Sequence, residues 1–116
     1  MVRMWNVEPH LMCRQHLLGE HVEMHMATGS ITKGKSVKGY TSNGLLDTSL
    51  IQTRHDDLVE EMRSRNYNHK SPLYYTDSLH EGSVNVFLNE LELIERCASC
   101  RAIYKNELLK INEAII

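Results

Sequence analysis

The chain has 116 residues, of which 41% are hydrophobic and 24% are charged, with 13 lysines and arginines against 15 aspartates and glutamates. Independent domains usually have about 100–150 residues, so we expect a single domain over residues 1–116. The apolar content is too high for a disordered chain, and no run approaches the about 18–20 apolar residues of a membrane span. Polar residues interrupt the N-terminal region, which argues against a signal peptide. We therefore expect a soluble, cytoplasmic protein without a membrane partner.

The formal net charge of −2 is not that of a typical nucleic-acid-binding domain, which is strongly basic. The charge is nevertheless polarised along the chain. Residues 1–46 carry five basic and three acidic side chains, whereas residues 77–116 carry four basic and seven acidic ones. The N-terminal part is therefore where we expect contact with an anionic partner.

The predicted elements are helical, and no segment has the alternation typical of a strand. Pro9 suits the first turn of a helix, and apolar residues recur at helical spacing over residues 10–26. The inward face of this helix is expected to contain Leu11, Leu18, Val22 and Met26, with Met12 and Leu17 widening it. Residues 27–46 are rich in glycine and lysine, which predicts a long functional loop or irregular structure.

A second helix is predicted over residues 49–65, with an inward face that contains Leu50, Ile51, Leu58, Val59 and Met62. A third helix is predicted over residues 83–98, and a polar loop over residues 66–82 connects the two. The third helix either continues or breaks near Cys100 into a terminal helix over residues 103–115. Its inward residues are expected to be Val84, Phe87, Leu88, Leu91 and Ile94. The expected fold class is all-α, a compact bundle of three main helices with an extended N-terminal segment and long loops.

The three cysteines, Cys13, Cys97 and Cys100, argue against a disulfide framework because their number is odd. The last two have the CxxC spacing of redox and zinc sites, but no second CxxC or nearby histidine pair accompanies them in the sequence. On a helix the two small side chains share one face. We therefore predict that they pack in the interior, with redox or metal chemistry as the alternative.

His16, Glu20 and Glu23 are spaced i, i+4 and i+7, so they lie along one face of the first predicted helix. A solvated face with an incidental histidine would have this pattern. The alternative is a carboxylate placed for electrostatic or acid–base chemistry.

His21 and His25 are spaced i and i+4, which allows one helix to offer two metal ligands. A third ligand would have to come from His55, His69 or His80. The simpler interpretation is that these imidazoles form local hydrogen bonds.

Three lysines lie among the glycines of the predicted loop. Lys33, Lys35 and Lys38 can meet phosphates as point charges, although no Walker-type spacing is present. A solvated linker has the same composition.

The N-terminal pattern of Arg3, Gln15-His16-Leu17, Glu20 and Glu23 resembles that of the pyrimidine-dimer DNA glycosylases typified by endonuclease V. The similarity is specific over residues 1–26. It continues weakly over residues 63–68, where a basic helix end precedes an aromatic–asparagine turn.

The resemblance implies a helical fold in which the N-terminal segment threads between the helices. It also implies a DNA repair N-glycosylase with abasic-site lyase activity that needs no metal or other cofactor. In that family, the α-amine exposed by removal of the first methionine attacks C1′ of the damaged nucleotide, and an imine precedes β-elimination. Carried over, the nucleophile is the amine of Val2, the essential carboxylate is Glu23 and the helix histidine is His16.

The expected partner is double-stranded DNA with a damaged base or an abasic site, bound by a monomer in a prokaryotic or virus-infected cell. The residues expected to contact DNA are Arg3, Gln15, Glu20, Lys33, Lys35, Lys38, Arg63 and Arg65. Family members that act on dimers have arginines where this chain has Val22 and Met26, so another lesion or an abasic site is an open alternative. Two further hypotheses are a metal-dependent hydrolase or nuclease built on His21 and His25, and a non-catalytic DNA-binding helical module.

Overall fold

Five α-helices and two short 3-10 turns form the regular elements of residues 1–115, which the computed structural model describes. The helices are α1 (Arg14–Thr32), α2 (Lys38–Thr41), α3 (Ile51–Ser64), α4 (Val86–Arg96) and α5 (Ala98–Ile115). The 3-10 turns are Pro9–Leu11 and Thr48–Leu50. Residues 1–115 contain no strand, so the all-α prediction is confirmed. Over the same range no helix combines the length and the apolar character that a membrane crossing requires.

The first helix is displaced toward the C-terminus relative to the prediction. Pro9 begins a 3-10 turn, Met12 is extended, and α1 starts only at Arg14. At its other end α1 continues to Thr32, into the segment predicted as a loop. The helix stops where Gly34 adopts a φ of 74°, the left-handed conformation that commonly ends helices.

The buried face of α1 also differs from the predicted one. Val22 and Met26, expected to face inward, are 54% and 47% exposed. Leu17 is buried as predicted, and the other buried residues of α1 are Glu20, His21, Met24 and Ala27. Two polar side chains thus occupy core positions, and the helix is rotated accordingly.

The rotation of α1 is explained by its packing against α3. The buried guanidinium of Arg54 binds both carboxylate oxygens of Glu20, with Nε–Oε2 at 2.6 Å and Nη2–Oε1 at 2.9 Å. At the end of α3, Arg65 donates hydrogen bonds to the carbonyls of Pro9 and Met12, just before α1 begins. The two helices therefore run antiparallel.

The N-terminal segment lies between α1 and α4, as an extended segment threaded through the helices. Its side chains Val2, Met4, Trp5 and Val7 are all buried. The backbone N–H of Met4 donates to the carbonyl of Leu45 at 2.6 Å. From α4, the Asn89 amide donates to the carbonyl of Trp5 at 2.9 Å.

The C-terminal helices are less buried than predicted. Phe87, Leu88 and Leu91 were expected to face inward, but they are 69%, 58% and 50% exposed. The buried residues of α4 are Asn89 and Leu93, because this helix meets the N-terminal segment through a different face. Of the alternatives considered, the break is correct: Cys97 has an extended backbone that separates α4 from α5.

The Glu20–Arg54 ion pair yields a test of the α1–α3 packing. Removing one partner leaves the other charge buried and unpaired, which costs about 3–5 kcal/mol. We expect Glu20→Gln and Arg54→Met each to lower the free energy of unfolding by about that amount, measured by urea denaturation. The double variant Glu20→Leu/Arg54→Met should lose far less than the sum, because no uncompensated charge remains.

The control for this cycle is Arg96→Met, which removes a side chain that is 55% exposed from its ion pair with Glu92. It should cost less than about 1 kcal/mol. Single variants at Glu20 or Arg54 with wild-type stability would contradict the assignment of this pair as a structural element of the core.

Candidate functional site

The Glu23 carboxylate lies against the first residues of the chain. Its Oε1 accepts a hydrogen bond from the backbone N–H of Arg3 at 2.9 Å. Val2 is only 3% exposed, whereas Met1 is 73% exposed. The structure therefore brings together the residues predicted to supply the nucleophilic amine and the essential carboxylate.

The surroundings of Glu23 disfavour its charged form. Burial raises the pKa of the carboxyl, the hydrogen bond from the Arg3 amide lowers it, and the neighbouring charge of Glu20 raises it again. The positive charge of the chain terminus also acts on Glu23, with a smaller lowering effect on the pKa. The net result is a raised pKa, so Glu23 takes up a proton at a higher pH than an exposed glutamate does.

The Arg3 side chain points away from solvent and toward α4. It is 8% exposed, its guanidinium lies 3.7 Å from the centre of the Trp5 ring, and Nη2 is 3.1 Å from Asn89 Oδ1. The same nitrogen forms an ion pair with Glu92. The arginine predicted to contact phosphate is thus engaged in joining the N-terminal segment to α4.

The other predicted residues of α1 have different surroundings. Gln15 is exposed, whereas Glu20 is 1% exposed and held by Arg54, so its carboxylate does not reach the surface. His16 is half-buried, with its ring edge-on to Trp5 and its Nδ1 at 3.3 Å from a cysteine sulfur. The predicted face of His16, Glu20 and Glu23 is therefore not one solvated surface.

The predicted cationic residues lie at two ends of the helix pair. Lys33, Lys35 and Lys38 are exposed beyond the C-terminus of α1, and Arg63 is exposed near its N-terminus because α3 is antiparallel. The length of α1, about 27 Å at 1.5 Å per residue, separates the two groups. Arg65 donates hydrogen bonds to the Glu61 carboxylate at 2.7 Å and to the backbone carbonyl of Met12.

A groove of about 650 Å³ lies between the N-terminal segment and α3, away from Glu23. Its lining includes four carboxylates, namely Glu8, Asp57, Glu60 and Glu61. A negatively charged groove repels a polyanion. This groove is therefore not a suitable DNA-binding surface.

Four histidines converge where α1 meets α3 and the segment that follows α3. Nitrogen atoms of His21, His55 and His69 all lie within 4.8 Å of one another, and the Nε2 atoms of His21 and His55 are 3.2 Å apart. The His25 ring is 4.9 Å from that of His21, centre to centre. Of the three histidines predicted from the sequence as partners of His21 and His25, His55 and His69 do lie beside them.

The third proposed partner, His80, is not part of this cluster. It is exposed and lies beside Asp77. His21 and His55 are 7% and 2% exposed, whereas His25 and His69 are half-buried. The Nε2 atoms of His25, His55 and His69 lie 2.8–3.2 Å from the Ser71 carbonyl oxygen, which supports the simpler interpretation of local hydrogen bonds.

A second cluster contains all three cysteines of the chain. Metal-binding atoms of Cys13, His16, Cys97 and Cys100 lie within 4.8 Å of one another. The sequence has no second CxxC, and the residues that join Cys97 and Cys100 are instead Cys13 and His16. Cys13 and Cys97 are 84 residues apart and meet only in the fold.

The chain matches the family model described as pyrimidine dimer DNA glycosylase over residues 2–75, a range that contains the Val2–Glu23 site and the α1–α3 pair. The chain belongs to the pyrimidine dimer DNA glycosylase family. The resemblance inferred from the N-terminal pattern is thereby confirmed. Membership in this glycosylase family makes the protein a DNA repair glycosylase that binds damaged DNA. No curated protein and no solved structure matches the chain.

The histidine cluster of this glycosylase predicts a pH dependence of stability. Burial, followed by the charges of His55, His25 and His69, lowers the pKa of His21 to about 4. An unfolded histidine has a pKa of about 6.5, so the folded state resists protonation of this imidazole. The stabilisation by neutral His21 is complete above about pH 6.5 and is lost as the pH falls toward 4.

Urea unfolding in the presence of a chelator, repeated across this pH interval, measures the effect. His21→Gln should flatten the pH dependence of the unfolding free energy, whereas His80→Gln at an exposed site should leave the slope unchanged. A His21→Gln variant with the wild-type slope would show that the pKa of this imidazole is not depressed.

Proposed function

We propose that the protein is an N-glycosylase that also cleaves the DNA strand at the abasic site it produces, with the Val2 α-amine as nucleophile. The observation that carries the proposal is the hydrogen bond of 2.9 Å between the Arg3 amide and the Glu23 carboxylate. The Val2 nitrogen precedes the Arg3 nitrogen by one residue, about 3–4 Å along the chain. Removal of the exposed Met1 would therefore create an amine within reach of this carboxylate.

An α-amine suits this reaction because its ordinary pKa of about 7.7–8.0 leaves a useful neutral fraction near neutral pH. The buried Val2 side chain anchors the backbone from which the amine projects. A nucleophile on a fixed backbone loses less conformational freedom in the transition state than a lysine on a flexible side chain would. The lysines of the chain have exposed, flexible side chains and lack this anchoring.

The proposed reaction starts when the nitrogen lone pair of Val2 attacks C1′ of the damaged nucleotide. The glycosidic bond breaks, and the base leaves with its electron pair and takes up a proton. Positive charge develops on the sugar during this step, and the Glu23 carboxylate stabilises it. Ring opening and loss of a proton from nitrogen give the imine.

The lyase step follows from the imine. Removal of the C2′ proton moves its electron pair into the protonated imine and gives an enamine. The enamine expels the 3′ phosphate by cleavage of the C3′–O bond, so the strand breaks by β-elimination and a conjugated imine remains. Hydrolysis of the imine then returns the free amine of Val2. None of these steps calls for an oxidant or a metal ion.

DNA contacts are proposed for the exposed cations at both ends of α1. Their separation of about 27 Å corresponds to about eight base pairs at 3.4 Å each, so one duplex could meet both groups. The proposed phosphate contacts are Lys33, Lys35, Lys38 and Arg63. Gln15 is the other exposed candidate on α1, whereas Arg3 and Glu20 are proposed to act inside the fold.

The lesion is proposed to meet an apolar part of the α1 surface. Val22 and Met26 lie together on one side of Glu23 on this helix, and about half of each residue is exposed. Apolar side chains can pack on the face of an unstacked base, whereas arginines at the same positions would bind phosphates. We therefore propose that the substrate is a pyrimidine dimer or another lesion that unstacks readily. Its binding to this part of α1 should depend less on electrostatic attraction than it would with arginines at positions 22 and 26.

Trapping with borohydride on duplex DNA tests the covalent step. Wild-type protein that starts at Val2 should give a stable adduct on DNA with a dimer or an abasic site. Glu23→Gln should bind this DNA normally but lower kcat by about 100-fold or more, because the developing charge loses its stabilising carboxylate. Glu60→Gln, at an exposed glutamate of α3, is the matched control and should retain the wild-type rate. A fully active Glu23→Gln enzyme would contradict the assignment.

The position of the amine is tested by an N-terminal extension. A short peptide ahead of Val2, with a protease site that releases Val2 as the first residue, should abolish adduct formation because the amine is displaced. Cleavage should restore trapping to the level of the unextended protein, and intact mass identifies the first residue in each sample. Equal trapping before and after cleavage would show that another amine is the nucleophile.

A further inference from the structure

The cysteine cluster described above combines two short half-sites that have metal-binding spacing. Cys13 and His16 form a CxxH pair at the start of α1, and Cys97 and Cys100 form a CxxC pair at the start of α5. Their ligand atoms lie within 4.8 Å of one another. Neither half-site lies in a position that the proposed DNA chemistry explains.

The distances within the cluster match the edges of a tetrahedron around zinc. With Zn–S at about 2.3 Å and Zn–N at about 2.0–2.1 Å, neighbouring ligand atoms are about 3.5–3.8 Å apart. The observed values are 3.9 Å for Cys13 Sγ–Cys97 Sγ and 3.7 Å for Cys100 Sγ–His16 Nδ1. The Cys13 Sγ–His16 Nδ1 distance is 3.3 Å.

The cysteines do not form a disulfide in this arrangement. All three are free, and the Cys13–Cys97 distance of 3.9 Å is almost twice the S–S bond length of about 2.05 Å. Three buried or half-buried thiols around one imidazole nitrogen are the donor set of a Cys3His zinc site.

Backbone N–H groups are already aimed at the sulfur atoms. The Cys13 amide donates to Cys100 Sγ at 3.2 Å, and the Cys100 amide donates to Cys97 Sγ at 3.5 Å. Hydrogen bonds of this kind stabilise thiolates and orient them as ligands. The two helix starts also favour negative charge at this place.

The C-terminal helices bury few side chains, and the polar contacts of α4 with the N-terminal segment come from Asn89 and Glu92. Cys100 is the buried residue of α5 within residues 98–115, and α4 contributes only Asn89 and Leu93. These three residues bury little apolar surface. A metal cross-link at the α4–α5 junction would therefore strongly stabilise the packing of both helices on the rest of the fold.

We propose that Cys13, His16, Cys97 and Cys100 bind one zinc ion that fastens α4 and α5 to the start of α1. The three thiols release their protons to solvent, and three thiolates with one neutral imidazole leave the Zn²⁺ site with a net charge of −1. All four coordination positions are filled by protein, so the ion has a structural role. His16 acts in this arrangement as a zinc ligand and not at the reacting atoms of the DNA.

The first experiment measures metal in the purified protein, prepared without a metal-binding tag. We expect one equivalent of zinc per chain. Replacement by Co²⁺ should give the visible bands of a tetrahedral ion and the near-ultraviolet charge-transfer absorption of thiolate ligands. Both should be lost in Cys97→Ser/Cys100→Ser.

Three variants separate this site from the histidine cluster and test the ligand at position 16. His55→Gln/His69→Gln should keep the zinc and the thiolate absorption. His16→Gln should lose the metal, whereas His16→Cys should retain it with an all-thiolate cobalt spectrum. A cobalt spectrum of His16→Cys identical to that of the wild type would show that position 16 does not bind the ion and would overturn the proposed ligand set.

Wild-type protein provides the test if the cysteine variants do not fold. A strong chelator should lower Tm by about 10 °C or more, and stoichiometric zinc should restore it. Purified protein without zinc, a Tm that is unaffected by chelator and zinc, or equal metal content in wild type and Cys97→Ser/Cys100→Ser would overturn the proposal. Wild-type protein that binds zinc but forms no adduct with DNA would count against the proposed glycosylase chemistry and not against the zinc site.

Discussion

The hydrogen bond from the Arg3 amide to the Glu23 carboxylate fixes the beginning of the chain on the middle of α1. The site depends on this contact because it places Val2 beside a half-buried carboxylate. The contact in turn depends on how α1 is rotated, and the buried Glu20–Arg54 pair sets that rotation from α3. Glu23 follows Glu20 by three residues and therefore lies on nearly the same side of the helix. The ion pair in the core and the proposed chemistry at the surface are thus consequences of one helix orientation.

The same orientation explains what could be predicted from the sequence. Helical periodicity correctly indicated an all-α fold and the inward positions Ile51, Leu58 and Met62 of α3. It failed on α1, where apolar spacing favoured Val22 and Met26 although Glu20 and His21 occupy the core. Hydrophobic patterns cannot show that a charged side chain has a buried partner on another helix, and Arg54 was therefore missed.

The candidate site, like the fold, was predicted from the sequence only in part. The pairing of Val2 with Glu23 was predicted, because the N-terminal pattern resembles the glycosylase family and both residues lie in its specific part. The engagement of Arg3 by Asn89 and Glu92 joins residues more than 80 positions apart, so no local pattern could indicate it. The cysteine cluster was missed for the same reason, although CxxH and CxxC were each visible in the sequence. A search for complementary half-motifs across the whole chain would have found it.

In the proposed mechanism the α-amine of Val2 becomes bonded to DNA. The most direct test is peptide mapping, by tandem mass spectrometry, of the adduct formed with abasic duplex DNA and reduced with borohydride. We expect the sugar remnant on the α-nitrogen of Val2 in a chain that has lost Met1. An adduct on a side-chain amine such as that of Lys33, or on the amine of a retained Met1, would contradict the mechanism.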